Sequence, residues 1–251
     1  MSEDLTAELR GLAEELARAA GEVLLDMAPK MAGSSGEDAV VETKSSPTDP
    51  VTEADRAAEA VIFERLRKVR PDDTIVAEEG SGNQGTTGIK WVIDPLDGTV
   101  NFVYGLPQWC VSIGIEGKVR LGVIYDPNRD EMFSDPSALF PGSKTHLKEA
   151  LIGTGFAYSP ETRARQAETA CRLLPQVRDI RRAGSCALDL AWVACGRLDG
   201  FYEEGVQAWD TSAGTALVEA AGGSVGKRGD LTFAAGTREL REKLEKLVLE
   251  G

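Results

Sequence analysis

From Leu5 the apolar residues Leu5, Leu9, Leu12, Leu16, Val23, Leu24 and Met27 recur mostly three or four apart, and Pro29 follows them. That period winds one apolar stripe along a helix, and the proline predicts its end. Residues 33–52, GSSGEDAVVETKSSPTDPVT, are rich in Gly, Ser, Thr and Pro and read as an extended or looping connection. A second helix is predicted from near Thr52 to Val69, with Ala58, Val61, Ile62 and Leu66 on one face, Glu53 and Asp55 in its first turn, and Pro71 beyond its end. The period then shortens to that of strands in TIVA from Thr74, KWVID from Lys90, CVSIGIE from Cys110, VRLGVIYD from Val119 and EMFSD from Glu131. Helical spacing returns around 161–174, 188–195, 211–221 and 238–249, separated by short strands such as DIRRAG and DGFYEE. The change of pattern predicts two lobes, residues 1–142 and 143–251, meeting near 141–143.

Composition narrows the functions open to such a chain. Of 251 residues 42% are hydrophobic and 27% charged, enough to bury a large core. Lys and Arg number 28 against 41 Asp and Glu, a net charge of −13 that argues against nucleic-acid or anionic-membrane partners. No apolar run approaches the ~20 residues of a spanning helix, and MSEDLTAELRGL lacks the basic and apolar regions of a signal peptide, so a soluble cytoplasmic protein is expected. With His146 as the only histidine, multi-histidine zinc sites and most Ser-His-Asp arrangements lack their parts. Cys110, Cys171, Cys186 and Cys195 never form C-x-x-C and read as free, mostly buried thiols. Gly80, Gly82 and Gly85 satisfy G-x-G-x-x-G, but loop and strand follow them where a dinucleotide site needs a helix, so they read as a mobile surface turn.

The chemistry lies in the carboxylates. Asp94-Pro95-Leu96-Asp97-Gly98-Thr99 follows the apolar strand WVI, and a turn ending at Gly98 is expected to bring Asp97 back toward Asp94. A helix entered at Thr99 leaves the Gly98 and Thr99 amides available for a phosphate oxygen. Glu78 follows TIVA as Asp94 follows WVI, so neighbouring strands are expected to release acids at one sheet edge. Asp210 precedes a helix predicted from Thr211 and reads as its N-cap, while Asp55 sits in the first turn of the second helix. Clustered carboxylates need a counter-charge, and hard oxygen ligands without histidine or thiolate suit Mg²⁺.

These residues resemble the inositol monophosphatase family, lithium-sensitive Mg²⁺-dependent phosphomonoesterases related to fructose-1,6-bisphosphatases. The matching blocks are DPVTEAD at 49–55, AEEG at 77–80, WVIDPLDGTVNF at 91–102 and WDTSAGTALVEAAGG at 209–223, in the family's order. The resemblance implies a layered αβαβα sandwich of mixed α+β and α/β character, usually dimeric. It implies Glu78, Asp94 and the Leu96 carbonyl as ligands of one Mg²⁺, Asp94, Asp97 and Asp210 as ligands of a second, and a third, more labile ion at Glu78. Thr99 with Asp55 is implied to orient and deprotonate the attacking water, Gly98 and Thr99 to hold the phosphate, and Lys44 to lie near a mobile metal loop. Gly184, Ser185, Cys186 and Glu203 are implied to contact the hydroxyls of a small phosphorylated polyol or sugar, with myo-inositol monophosphate the first candidate.

Fructose bisphosphate, histidinol phosphate and the 3′-phosphate of an adenosine bisphosphate are the alternative substrates. A regulatory role is the alternative from another class, since some bacterial relatives act in transcription antitermination. One departure from the family is the segment DPSALFPGSK at 135–144, where members commonly carry a Gly-rich hairpin. Its shortening is expected to widen the mouth of the site or to alter the dimer contact. The tail after Gly223 keeps the family outline loosely.

Overall fold

The computed structural model describes residues 2–32, 42–43, 50–51, 53–80 and 82–250. Lys44 and Asp49 lie outside the described residues. Helix α1 is Ser2–Ala32, and its stripe of Leu9, Leu16 and Leu24 is fully buried. It runs through Pro29 where a stop was expected. A proline removes one backbone N–H, and this one falls in the last turn, where little helix remains to be interrupted. The two-residue strands β1 (Glu42–Thr43) and β2 (Pro50–Val51) pair antiparallel ahead of α2, Glu53–Val69.

The first large sheet holds β3 (Thr74–Ala77), β4 (Gly82–Asn83), β5 (Ile89–Asp97), β6 (Cys110–Gly117), β7 (Leu121–Asp126) and β8 (Glu131–Phe133), in the order β4-β3-β5-β6-β7-β8. A short helix α3, Thr99–Val103, follows β5 directly. The G-x-G-x-x-G stretch is not a free turn: Gly82 pairs with Val76 at the sheet edge, and Gly85 N donates to Thr74 Oγ1 at 3.0 Å. Buried Asp73 ties this edge together. It accepts from Trp91 Nε1 at 2.9 Å, Arg70 Nε at 2.8 Å and Thr87 Oγ1 at 2.5 Å.

The second sheet comprises β9 (Leu151–Thr154), β10 (Asp179–Arg181), β11 (Gly200–Glu204), β12 (Ser224–Arg228) and β13 (Leu231–Ala235), ordered β10-β9-β11-β13-β12. Its helices are α4 (Pro160–Leu173), α5 (Cys186–Ala194), α6 (Ala208–Ala220) and α7 (Arg238–Leu249). β9 and the β12–β13 hairpin were not predicted. β9 is only four residues long, and the hairpin alternates apolar residues with Gly, Lys and Thr too weakly to stand out.

Packing orders these elements into five layers. Helices α1 and α2 cover the outer face of the first sheet, α5 and α6 lie between the sheets, and α7 and α4 cover the second sheet. Three apolar clusters fill the spaces between layers. This is the αβαβα sandwich that the family resemblance implied. The central layer is close: a Cβ on Gly122 of β7 would stand 2.0 Å from Ala213 O of α6, and one on Gly114 of β6 would stand 2.3 Å from Ser212 Oγ. Two glycines therefore let α6 seat against the first sheet and carry its N-terminus to the end of β5.

Candidate active site

The β5 strand does not end at Asp94. It continues to Asp97, pairing Asp94 with Ser112 and Asp97 with Cys110, so Pro95 and Leu96 on β5 stand opposite the single Val111 on β6. Ser112 and Cys110 share a face because side chains alternate along a strand. The extra residue of the bulge therefore puts Asp94 and Asp97 on one face as well. Pro95, which has no N–H to pair, sits within the irregularity, and Leu96 N donates to Asp94 Oδ1 at 3.0 Å. The expected turn is thus a β-bulge, and it achieves the same convergence. Gly98 then adopts φ 99° and opens α3, with Gln108 O 2.9 Å from where a Cβ would be, so only glycine serves there.

β3 runs parallel to β5, with Ala77 opposite Ile93, and this register delivers Glu78 to the same edge as Asp94, as expected. Thr99 Oγ1 lies 3.2 Å from Asp55 Oδ1 and 3.1 Å from the Leu96 carbonyl, so its single proton is shared between them. Asp55 itself is fully buried in the first turn of α2.

Asp210 enters from α6, in the layer between the two sheets. It is not the N-cap of a helix starting at Thr211. The helix starts at Ala208, Gln207 is the cap, and Asp210 at the third helical position accepts from Gln207 N at 2.6 Å in a capping box. Ser185 caps α5, accepting from Leu188 N at 3.3 Å, and donates to Asp97 Oδ2 at 2.6 Å. Ala187 N donates to the same oxygen at 2.7 Å. The Ser185 hydroxyl, assigned from the sequence to the substrate, is committed here to Asp97 and to its helix.

Glu78, Asp94, Leu96, Asp97, Gly98, Thr99, Gly184, Ser185, Cys186, Glu203 and Asp210 all line one cavity of about 370 Å³. Asp55 touches it through Thr99. Asn101 was legible only as part of a short helix, but its amide donates to Gln108 O at 2.7 Å and to Ala183 O at 2.9 Å, binding α3 to the loop that carries Gly184. Nothing local marks that role, because the partner lies 82 residues away. The shortened segment expected to widen the mouth is not among the lining residues. It follows β8 at the far edge of the first sheet, where Ala138 and Leu139 border a separate recess with Arg197.

The electrostatics of the cavity are dominated by like charge. Burial, followed by the charges of Glu78, Asp97 and Asp210, pushes the Asp94 carboxyl well above the ordinary range. Burial also raises Asp97, but its hydrogen bonds from Ser185 and Ala187 hold it to about 6. Glu203 is raised to about 8 by burial and by Asp97 and Asp210. Arg182 is the only basic side chain lining the cavity among the described residues. Cys110 and Cys186 are buried, and burial raises both thiols, so they stay protonated. Cys171 is exposed and Cys195 partly so, against the expectation of burial.

The donor set is therefore hard oxygen with a shortage of positive charge, which suits a divalent ion such as Mg²⁺. No three His, Cys, Asp or Glu side chains among the described residues are drawn tightly enough to hold an ion in this conformation. Asp97 is turned onto α5 and Asp210 onto Gln207 N.

A five-layer sandwich with a carboxylate-lined cavity between its sheets defines a class, and comparison with known proteins places the chain within it. Residues 5–243 match the model of the inositol monophosphatase family. The chain belongs to that family and is by that membership a phosphoric monoester hydrolase. It is 42% identical to an inositol-1-monophosphatase of Mycobacterium bovis over 87% of this chain and 83% of the relative. It is 40% identical to the Nus factor SuhB of Pasteurella multocida over 94% of each chain. Among solved structures, the extragenic suppressor protein suhB of Bartonella henselae superposes with a TM-score of 0.88 at 32% identity, covering 97% of this chain and 99% of that one. An inositol monophosphatase from Anabaena gives a TM-score of 0.80 at 33% identity, covering 97% and 96%.

Proposed function

We propose that the chain hydrolyses a small phosphorylated polyol in a Mg²⁺-dependent reaction, with myo-inositol monophosphate the first candidate substrate. The observation that carries this reading is the convergence on one cavity of Glu78, Asp94 and Asp97 from one sheet edge with Asp210 from α6, where burial and mutual repulsion call for a cation. Glu78, Asp94, Asp97, Asp210 and the Leu96 carbonyl are the groups that would hold two to three ions. When bound, divalent ions supply the charge that neutralises the phosphate and makes a water acidic enough to attack it.

The chain's own residues do the rest. Gly98 and Thr99 begin α3, where backbone N–H groups have no intrahelical partner, and they receive phosphate oxygens. The Thr99 hydroxyl, oriented by buried Asp55 and the Leu96 carbonyl, positions the attacking water and passes its proton toward Asp55. Glu203, which lines the same cavity, takes the hydroxyls of the leaving alcohol. A homodimer in the cytoplasm completes the proposal, and light scattering tests the oligomer. No helix of the described residues is long and apolar enough to cross a membrane.

Phosphate release from a panel of myo-inositol 1-phosphate, fructose 1,6-bisphosphate, histidinol phosphate and adenosine 3′,5′-bisphosphate, with Mg²⁺ and with excess chelator, tests the proposal. Turnover that is strongest on the inositol ester and abolished by chelator is expected. Undiminished turnover in chelator would refute it. The Nus factor names of several relatives favour a second reading as a regulatory binding protein. Capture of transcription proteins without phosphatase activity would support that reading instead.

A further inference from the structure

Helix α5, with sequence CALDLAWVA, is apolar except for Asp189. Asp189 is 1% exposed, yet it borders the cavity. Its carboxyl makes no hydrogen bond among the described residues, and Oδ1 is buried without a partner. Glu203 reaches the same region from β11, and Gly153 of β9 together with Gly155 just beyond it makes room for both acids. A Cβ on Gly155 would lie 1.9 Å from Glu203 Oε1, and one on Gly153 would lie 3.3 Å from the Asp189 carboxyl. Burial, and then the charge of Glu203, raise Asp189, while Arg182 acts weakly the other way.

Leaving a buried carboxyl without hydrogen bonds is costly, and a native fold that does so calls for an explanation. Here the explanation lies in what enters the cavity. The amides of Gly98 and Thr99 line the same cavity as Asp189 and Glu203. An alcohol with adjacent hydroxyls supplies the donors that these two acids lack. An aryl or simple alkyl ester leaves the acids as they are.

The geometry points to Asp189 as a specificity residue of the substrate cavity, which together with Glu203 takes hydroxyls of the polyol leaving group. This rests on the phosphatase reading above and adds to it a residue that the motifs did not mark. An interaction of this kind involves a hydrogen bond to a charged or shared-proton acid, and its loss changes binding by about 10- to 100-fold.

The test compares kcat/KM for myo-inositol 1-phosphate with kcat/KM for p-nitrophenyl phosphate, which has no hydroxyl on its leaving group. It uses the unmodified chain, Asp189→Ala and Asp189→Asn, together with their melting temperatures. Asp189→Ala is expected to lower the ratio of inositol ester to aryl ester by about 10- to 100-fold, mainly through KM. Asp189→Asn, which still donates and accepts, is expected to recover most of that ratio. Both variants are expected to melt no lower than the parent, because an unpartnered buried acid has been removed. A ratio unmoved in Asp189→Ala, or both esters failing in parallel with a lowered melting temperature in Asp189→Asn, overturns the inference while the phosphatase reading stands. Hydrolysis of neither ester by the unmodified chain overturns both.

Discussion

Asp94 sits where burial and three neighbouring acids all oppose its charge. Asp94→Asn is therefore expected to abolish phosphate release without lowering the melting temperature, since it relieves repulsion as it removes a proposed metal ligand. Asp210→Asn should abolish turnover equally, and the amide oxygen of Asn keeps an acceptor for Gln207 N. Full activity in either variant, in a phosphate-release assay, would refute the assignment. On the proposed reading Thr99 differs in kind, its hydroxyl orienting the attacking water and relaying a proton. Thr99→Ala should lose on the order of 10²- to 10⁴-fold in kcat, the range of general acid–base help. At this scale most of the cavity lining was legible: Glu78, Asp94, Asp97, Gly98, Thr99 and Asp210 each stand at a strand end or helix start that the local pattern exposes. Asn101 and Asp189 were not legible. Their surroundings in sequence are those of ordinary helical residues, and their partners are remote.

At the level of elements, α5 is tied to the end of β5. Ser185 both caps it and holds Asp97. Ser185→Ala is expected to cost about 1 kcal/mol for the cap alone, seen as a lower urea midpoint, and to move Asp97 upward from about 6 as a lowering hydrogen bond disappears. Gly122→Ala tests the seat of α6. Its Cβ would meet Ala213 O at 2.0 Å, and overpacking of this kind costs about 1–3 kcal/mol. A denaturation midpoint unchanged from the parent would show that α6 does not depend on that contact. The long amphipathic helices and apolar strands were predicted because each repeats its period several times. β9 and the β12–β13 hairpin are short or irregular, and pairing partners rather than local preference define them.

For the molecule as a whole, the cavity acids set the response to pH. Asp97 at about 6 and Glu203 at about 8 both lie above ordinary carboxylate values of about 4. The folded chain therefore binds their protons more tightly than the unfolded chain does. That contribution to stability is complete below about pH 4 and is lost as pH rises through about 6 and then about 8. In chelator, the melting temperature is expected to fall between pH 5 and pH 9. Added Mg²⁺ should restore it more at pH 8 than at pH 5, because a cation binds the ionised acids. A chelated protein that grows more stable across that window would contradict the charge arrangement described here. Asp73 works in the opposite sense. Burial raises it, but hydrogen bonds from Arg70, Thr87 and Trp91 outweigh that and leave it below the usual value, so its stabilisation is lost only at strongly acidic pH.

The order of acids, glycines and threonine along the chain determined the chemistry available, and short-range periodicity determined most of the elements that carry it. Those are local properties, settled among residues a few positions apart. Tertiary structure alone decided that a β-bulge puts Asp94 and Asp97 on one face, that Gly114 and Gly122 admit α6 and with it Asp210, and that Asp189 of an otherwise apolar helix lines the cavity. Each of these depends on strand register or packing between segments far apart in the chain, where no local period carries the information.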